Sequence, residues 1–217
     1  MRPGRALRTA AADFYHQSWR LAAFNTLLSV VVLAIVYVTV WVSPVLAILL
    51  VLAGPFAAAL MHCAVRLAQE DELRFGDWVV GLRLHWRRGL VLAAVNLAAA
   101  VLAVVALRFY GSERWLFTIF VVDVLVVFVL VQLVLWPRIV HDRDRGLWQL
   151  TGDALSDFLR RPLATIGFGI ALLLVNVLGL AAGVLPLLTL TLGYSAVAVA
   201  HFALPRSELR DPYVEES

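Results

Sequence analysis

Between Trp115 and Trp136 the chain reads WLFTIFVVDVLVVFVLVQLVLW, in which Asp123 is the single charged residue. A helix needs about 20 apolar residues to cross the ~30 Å hydrocarbon core of a bilayer, and it bonds its own main-chain polar groups while doing so. This run meets both conditions. Five more do the same, at approximately Leu21 to Val42, Val45 to Gln69, Gly89 to Phe109, Leu163 to Gly183 and Pro186 to Leu204. Over the whole chain, 62% of the 217 residues are hydrophobic and 15% charged, with a mean hydropathy of +0.88, whereas a soluble domain carries about 25% charged residues. A soluble globule is excluded. The expected fold is all-α, a polytopic membrane helix bundle of six transmembrane helices in one domain over residues 1–204, followed by a polar tail at 205–217.

The charges report topology. All 18 basic residues are Arg, and they are interleaved with apolar runs instead of gathered into a stripe, so no nucleic-acid partner is expected. Four Arg precede the first span, five lie between Arg66 and Arg88, five between Arg138 and Arg161, and two follow Leu204. Only Arg108 and Arg114 fall on the opposite side. The positive-inside rule then places both termini in the cytoplasm, in agreement with an even number of spans. Trp41 and Trp115 mark outer span ends and Trp136 an inner one, at the headgroup level that an amphipathic ring prefers. The opening MRPGRALR has the basic character of a signal peptide, but about 22 apolar residues without a small-residue cleavage site follow it, so it is expected to stay uncleaved. Turns at Ser43-Pro44 and at Val184 to Pro186 join the first and last pairs of spans.

Cytoplasmic segments show helical periodicity. Phe75, Trp78, Val79, Leu82 and Trp86 alternate with Arg74, Asp77, Arg83, Arg87 and Arg88 in the pattern of an amphipathic helix lying in the interface. Leu147, Leu150, Ala154, Leu155 and Phe158, set against Asp153, Asp157 and Arg160, repeat the design, and Ala6 to Trp19 is a weaker third example. Each segment meets its span at a basic junction, Arg20, Arg88 and Arg160-Arg161. Arg20, Arg88 and Arg161 are separated by 68 and then 73 residues. This spacing suggests three tandem units, each an interfacial helix, an outward span and a returning span. GPFAAALMHCAV from Gly54 and GYSAVAVAHFAL from Gly193 align without gaps, matching Gly54 with Gly193 and His62 with His201. The aromatic and basic residues Phe75, Asp77, Trp78, Trp86, Arg87, Arg88, Phe158, Arg160 and Arg161 are candidates for docking a partner or membrane lipid.

An ionisable group at mid-span costs at least ~2.5 kcal/mol on the insertion scale, so each one needs a reason. Asp123 is the carboxylate well inside a span, and Asn176 of the fifth span lies at a similar depth. The readings are a proton or cation site, a packed helix contact in which Asn176 bonds Asp123, or a side chain reaching toward the outer face. Asn25, His62, Gln132 and His201 come to a common height about two turns nearer the cytoplasm. They either line a vestibule or bond neighbouring helices. Arg66 is expected to snorkel to headgroups, and Cys63 to be a small buried residue. Gly54-Pro55 predicts a kink beside the small-residue stripe of Ala57, Ala58 and Ala64, either as tight packing or as a hinge.

No Walker A, GxGxxG, HExxH or GxSxG pattern is present, one Cys cannot close an intramolecular disulfide, and no zinc-ligand spacing occurs. The cluster Glu70, Asp71, Glu72 and Asp77, and likewise Asp142 and Asp144, could attract a divalent ion, but such charges interleaved with Arg read first as solvated loop residues. No catalytic residue, metal or cofactor is expected, and the chain reads as a non-enzyme.

The segment GPFAAALMHCAVRLAQEDELRFGDWVVGLRLHWRRGL, Gly54 to Leu90, resembles the hallmark region of the YesL-like family of bacterial integral membrane proteins, a domain of unknown function. The resemblance rests on Gly54, Pro55 and Ala57 to Ala59, on Glu70 and Asp71, on Phe75, Asp77 and Trp78, and on Trp86, Arg87 and Arg88. WQLTGDALSDFLRRPLATIGFGIALL is similar to the family's second half. Val79 departs from it where a second aromatic is expected. The resemblance implies a bacterial plasma-membrane protein that acts as an accessory or assembly partner of a complex such as a carbohydrate ABC importer, touching its permease subunits. The competing expectation, from the residues alone, is a small-solute or proton-coupled transporter using Asp123 and a His62/His201 layer.

Overall fold

The computed structural model describes residues 3–70, 73–110, 115–183, 187–204 and 209. Every regular element among these residues is helical: α1 (Pro3–Trp41), a 3₁₀ helix (Pro44–Leu52), α2 (Ala53–Glu70), α3 (Phe75–Tyr110), α4 (Trp115–His141), α5 (Leu147–Arg160), α6 (Pro162–Ala182), a π turn (Leu187–Thr191) and α7 (Leu192–Ala203). Five segments are long and apolar enough to cross a bilayer, Trp19–Trp41, Val45–Gln69, Phe75–Tyr110, Trp115–His141 and Pro162–Ala182. The chain is an all-α, multi-pass membrane protein. Its last apolar helix, Thr189–Ala203, is shorter than these five, so the described helices supply five full-length spans where six were expected. Asp71, Glu72, Arg114, the turn at 184–186 and the tail at 205–208 and 210–217 lie outside the described residues; Leu209 packs against the core.

Two of the three interfacial segments are not separate helices. α1 and α3 run unbroken for 39 and 36 residues, about 58 and 54 Å at 1.5 Å per residue, because neither the Trp19-Arg20 nor the Arg87-Arg88 junction carries a helix breaker. The third segment does end, at Arg161, where the following Pro162 drives the preceding residue out of the α region. α5 then lays Leu150, Ala154 and Phe158 against α4. Asp153 meets Arg145 at 2.7 Å, and Asp157 accepts from Arg138.

Ser43 caps the 3₁₀ helix from Val45 N, and Pro44 opens it. This helix is nine residues long, beyond the usual three or four, and it yields to α-helix at Ala53. The predicted Gly54-Pro55 discontinuity is this change of winding. Pro55 falls in the first turn of α2, where a missing N–H is harmless. Gly54 is there for proximity: a Cβ on it would sit 2.2 Å from Gly89 O, and a Cβ on Gly89 would sit 2.7 Å from Gly54 O. The backbones of α2 and α3 cross at these two glycines, the close approach that small residues permit in membranes.

Each returning helix packs most extensively on a neighbouring unit's leading helix: α2 on α3, α4 on α5, and α7 back on α1. The matched positions follow this order. Gly54 meets Gly89, one residue past Arg88, and a Cβ added to Gly193 would lie 3.5 Å from Phe14 Cε2 and 3.9 Å from the Cβ of Leu21, one residue past Arg20. His62 touches Gly81, seven residues before Arg88, and His201 touches Asp13, seven before Arg20. The core sits at the Arg-bearing end. α3 buries Asp77, Gly81, His85, Gly89 and Leu92, and α4 buries Leu130 and residues beyond it. No described residue from Ala93 to Val129 is buried.

Candidate functional site

The buried polar groups converge at the Arg-bearing end, where two seams hold most of them. In the first, between α2 and α3, Asp77 is only 5% exposed. It is the third residue of α3 and reaches back to accept from the Arg74 N–H at 2.7 Å, half of a capping box, with its charge on the positive end of the helix dipole. Its other oxygen accepts from Arg66 Nη1 at 2.5 Å. Arg66 is therefore turned to Asp77, where snorkelling was expected. Asp77, expected on the polar outer face, instead points inward. Four residues apart along α3, Asp77, Gly81, His85 and Gly89 form one buried face, while Phe75, Val79 and Trp86 are exposed.

Farther along this seam, one turn from Arg66, His62 lies against His85 with ring centroids 5.3 Å apart and the planes tilted by 42°. His62 also fills the space over Gly81. His85 is fully enclosed, and neither of its ring nitrogens has a hydrogen-bond partner among the described residues. Cys63 is buried as expected. Trp78 is half-buried between Phe24 and Phe56, at 6.3 and 5.6 Å, and Phe75 lies against Trp19 and Phe24.

The second seam joins α1 to α7. His201 Nε2 lies 2.5 Å from Asp13 Oδ2, and Tyr194 donates its hydroxyl to Leu7 O at 3.0 Å. Asn25 is fully buried, with its Cβ close over Gly193. Asn25 and His201 are thus enclosed in packed helix contacts and do not face an open vestibule. Gln132 is half-buried, and its Oε1 has no partner among the described residues.

Asn176 does not meet Asp123. Its Nδ2 donates to Ser195 Oγ at 2.9 Å and to Leu172 O at 2.8 Å, and Ser195 in turn donates to Thr191 O at 2.7 Å. The fifth span thereby binds the chain's last helix. Asp123 is exposed on α4 amid exposed Phe120, Val122, Val124 and Val126. A carboxylate facing lipid loses its hydration without gaining a protein partner, which costs at least ~2.5 kcal/mol near mid-span.

Arg88, expected to dock a partner, is committed within the fold. Its Nη1 donates to Ile139 O at 3.0 Å and Asp142 O at 3.1 Å, and its Nη2 to Arg143 O at 2.5 Å and Arg145 O at 2.8 Å. These are carbonyls at and just past the end of α4, which a helix leaves unbonded, and the cation also complements the negative end of the dipole. Phe158 is buried against α4 and likewise unavailable. Trp86, Arg87, Arg160 and Arg161 remain exposed, with the Arg87 guanidinium 5.2 Å over the Trp86 ring.

Sequence reasoning passed over His85, Ser195 and Asp13 as single residues, and it read Arg138 only as a marker of topology. The four-residue recurrence of Asp77, Gly81, His85 and Gly89 was the available signal. Chemically, the ion pairs and hydrogen bonds fasten helices to one another. Among the described residues no group of three or more His, Cys, Asp or Glu is disposed to hold a metal ion. Comparison of the chain with protein-family models, curated proteins and solved structures gives no match.

Proposed function

We propose that the protein is an accessory or assembly partner of a larger complex in the bacterial plasma membrane, with both termini in the cytoplasm, in keeping with its YesL-like resemblance. The observation that carries this reading is the division of its polar and apolar groups. The buried Asp77 and His201 are spent on internal pairs with the partly exposed Arg66 and Asp13, whereas the far halves of α3 and α4 bury nothing. Such a body holds its own inner end together and offers its far end to others. The resemblance narrows the partner to the permease subunits of a carbohydrate ABC importer. Transport by the chain itself is the weaker reading, because Asp123 lies on the surface of α4 and His201 is enclosed against α1.

The test is co-purification from mild detergent with those permease subunits, together with labelled-sugar uptake in a deletion strain. Recovery of both proteins and reduced uptake are expected. A chain purified alone, with uptake unaltered by its deletion, refutes the proposal.

A further inference from the structure

We infer that the far half of α4, centred on Asp123, seats a transmembrane helix of a different protein that carries one Arg or Lys at the same depth. Asp123 lies eight residues inside α4 from Trp115, about 12 Å along the helix axis, and it is exposed. Among the described residues no hydrogen bond or ion pair reaches it. Ile119, Phe120 and Val127, one turn to either side, and Leu116, two turns away on the same face, are exposed as well. The face is therefore an apolar strip with one carboxylate in it, and a helix with one cation in an apolar strip complements it in both respects.

The composition of the chain argues against a second copy as the occupant. No Arg or Lys occurs between Leu21 and Val65, between Gly89 and Leu107, between Trp115 and Pro137, or between Pro162 and Leu204, so a copy supplies no cation at this depth. Two copies meeting through Asp123 would oppose like charges. Arg108 stands two residues from the end of α3, and its long side chain turns toward water.

This inference deepens the accessory reading by naming the surface and the chemistry of the partner. For the test, the full chain carrying Cys63→Ala and a donor dye at Ser217→Cys is reconstituted in phosphatidylcholine vesicles. The probes are Leu/Ala transmembrane peptides with an acceptor dye, bearing Arg, Glu or Leu about 12 Å from one end of the hydrophobic stretch. Energy transfer should report association about tenfold tighter for the Arg peptide than for the Leu peptide. Asp123→Leu should abolish the difference, and Asp123→Arg should transfer the preference to a Glu peptide. Among the described residues Asp123 makes no hydrogen bond or ion pair, so thermal unfolding of these variants should match the parent and separate lost docking from lost folding. Equal association of Arg and Leu peptides, retained preference in Asp123→Leu, or cross-linking of two copies through Phe120→Cys each overturns the inference. Failure here with co-purification intact removes the α4 seat alone; peptide docking with sugar uptake unaffected by deletion removes the importer role alone.

Discussion

His201 and Asp13 stand 188 residues apart in sequence and meet at 2.5 Å, so the last helix of the bundle is fastened to the first. His201 is 4% exposed and Asp13 13% at the side chain, which makes the contact a shielded one. Removing one member leaves the other buried without its partner, the costly direction for a charge-assisted hydrogen bond. Asp13→Ala should lower stability by about 2 to 3 kcal/mol, seen as a fall of about 5 to 10 °C in the unfolding midpoint in detergent. A double-mutant cycle with His201→Ala should show coupling of about 1 kcal/mol or more; additive losses would mean the two residues act independently.

The crossing of Gly54 and Gly89 leaves no room for a Cβ, which would lie 2.2 Å from a carbonyl oxygen. Gly54→Ala should cost about 3 kcal/mol or prevent folding, since backbone cannot step aside as a side chain can. Gly167→Ala, where nothing lies within 4 Å, should be neutral or slightly stabilising in the same helical setting. The comparison is read from the yield of monodisperse protein and its unfolding midpoint.

Arg88 supplies donors to four carbonyls at and beyond the end of α4. Lys carries the charge but not the planar fork, so Arg88→Lys should restore little. Loss of about 1.5 to 3 kcal/mol of charged hydrogen bonding should speed amide exchange across 139–150 by about tenfold to a hundredfold, with α1 amides unchanged. Uniform acceleration throughout the chain would point to a global effect instead.

Asp77 performs two tasks, accepting from Arg66 and from the Arg74 N–H. Asn keeps an oxygen for one of them, and Ala for neither. Destabilisation should rise from about 1 kcal/mol in Asp77→Asn to about 3 kcal/mol in Asp77→Ala, measured by unfolding in mixed detergent. Equal losses would show that only the ion pair matters.

Orientation is open to direct chemical labelling. With Cys63 replaced by Ala, single cysteines at Ser217 and at Thr9 should react with a membrane-impermeant maleimide only after cells are opened, because the proposed topology gathers sixteen of the Arg on that side. Reaction at either position in intact cells reverses the topology.

The spans were legible because hydrocarbon imposes a length and an apolarity that few soluble helices share. Of the matched glycines, Gly54 meets the Gly89 backbone closely, whereas a Cβ on Gly193 would make only ordinary contacts with Phe14, Asn25 and Leu21. The orientation of the second amphipathic segment was misread for a physical reason. In water the large apolar face turns inward, but beside lipid it can face out while small and polar residues meet other helices. Asp77, Gly81, His85 and Gly89 follow the membrane rule; Leu150, Ala154 and Phe158 of α5 follow the aqueous one. Asp123 and Asn176 were paired on depth alone, and depth does not specify which way a helix is rotated. Ser195, a single turn from Thr191, was the partner that depth could not reveal.

The seam between α1 and α7 also dictates an order of events during synthesis. α2 and α3 are neighbours in the chain and can lock together at Gly54 and Gly89 while translation continues. The leading helix must wait for Tyr194 and His201 to emerge, some 10 to 40 s later at ordinary elongation rates. Through that interval its buried stripe of Ala6, Ala10, Leu21 and Phe24 is open to the insertion machinery, and the seam closes only after α7 has been made.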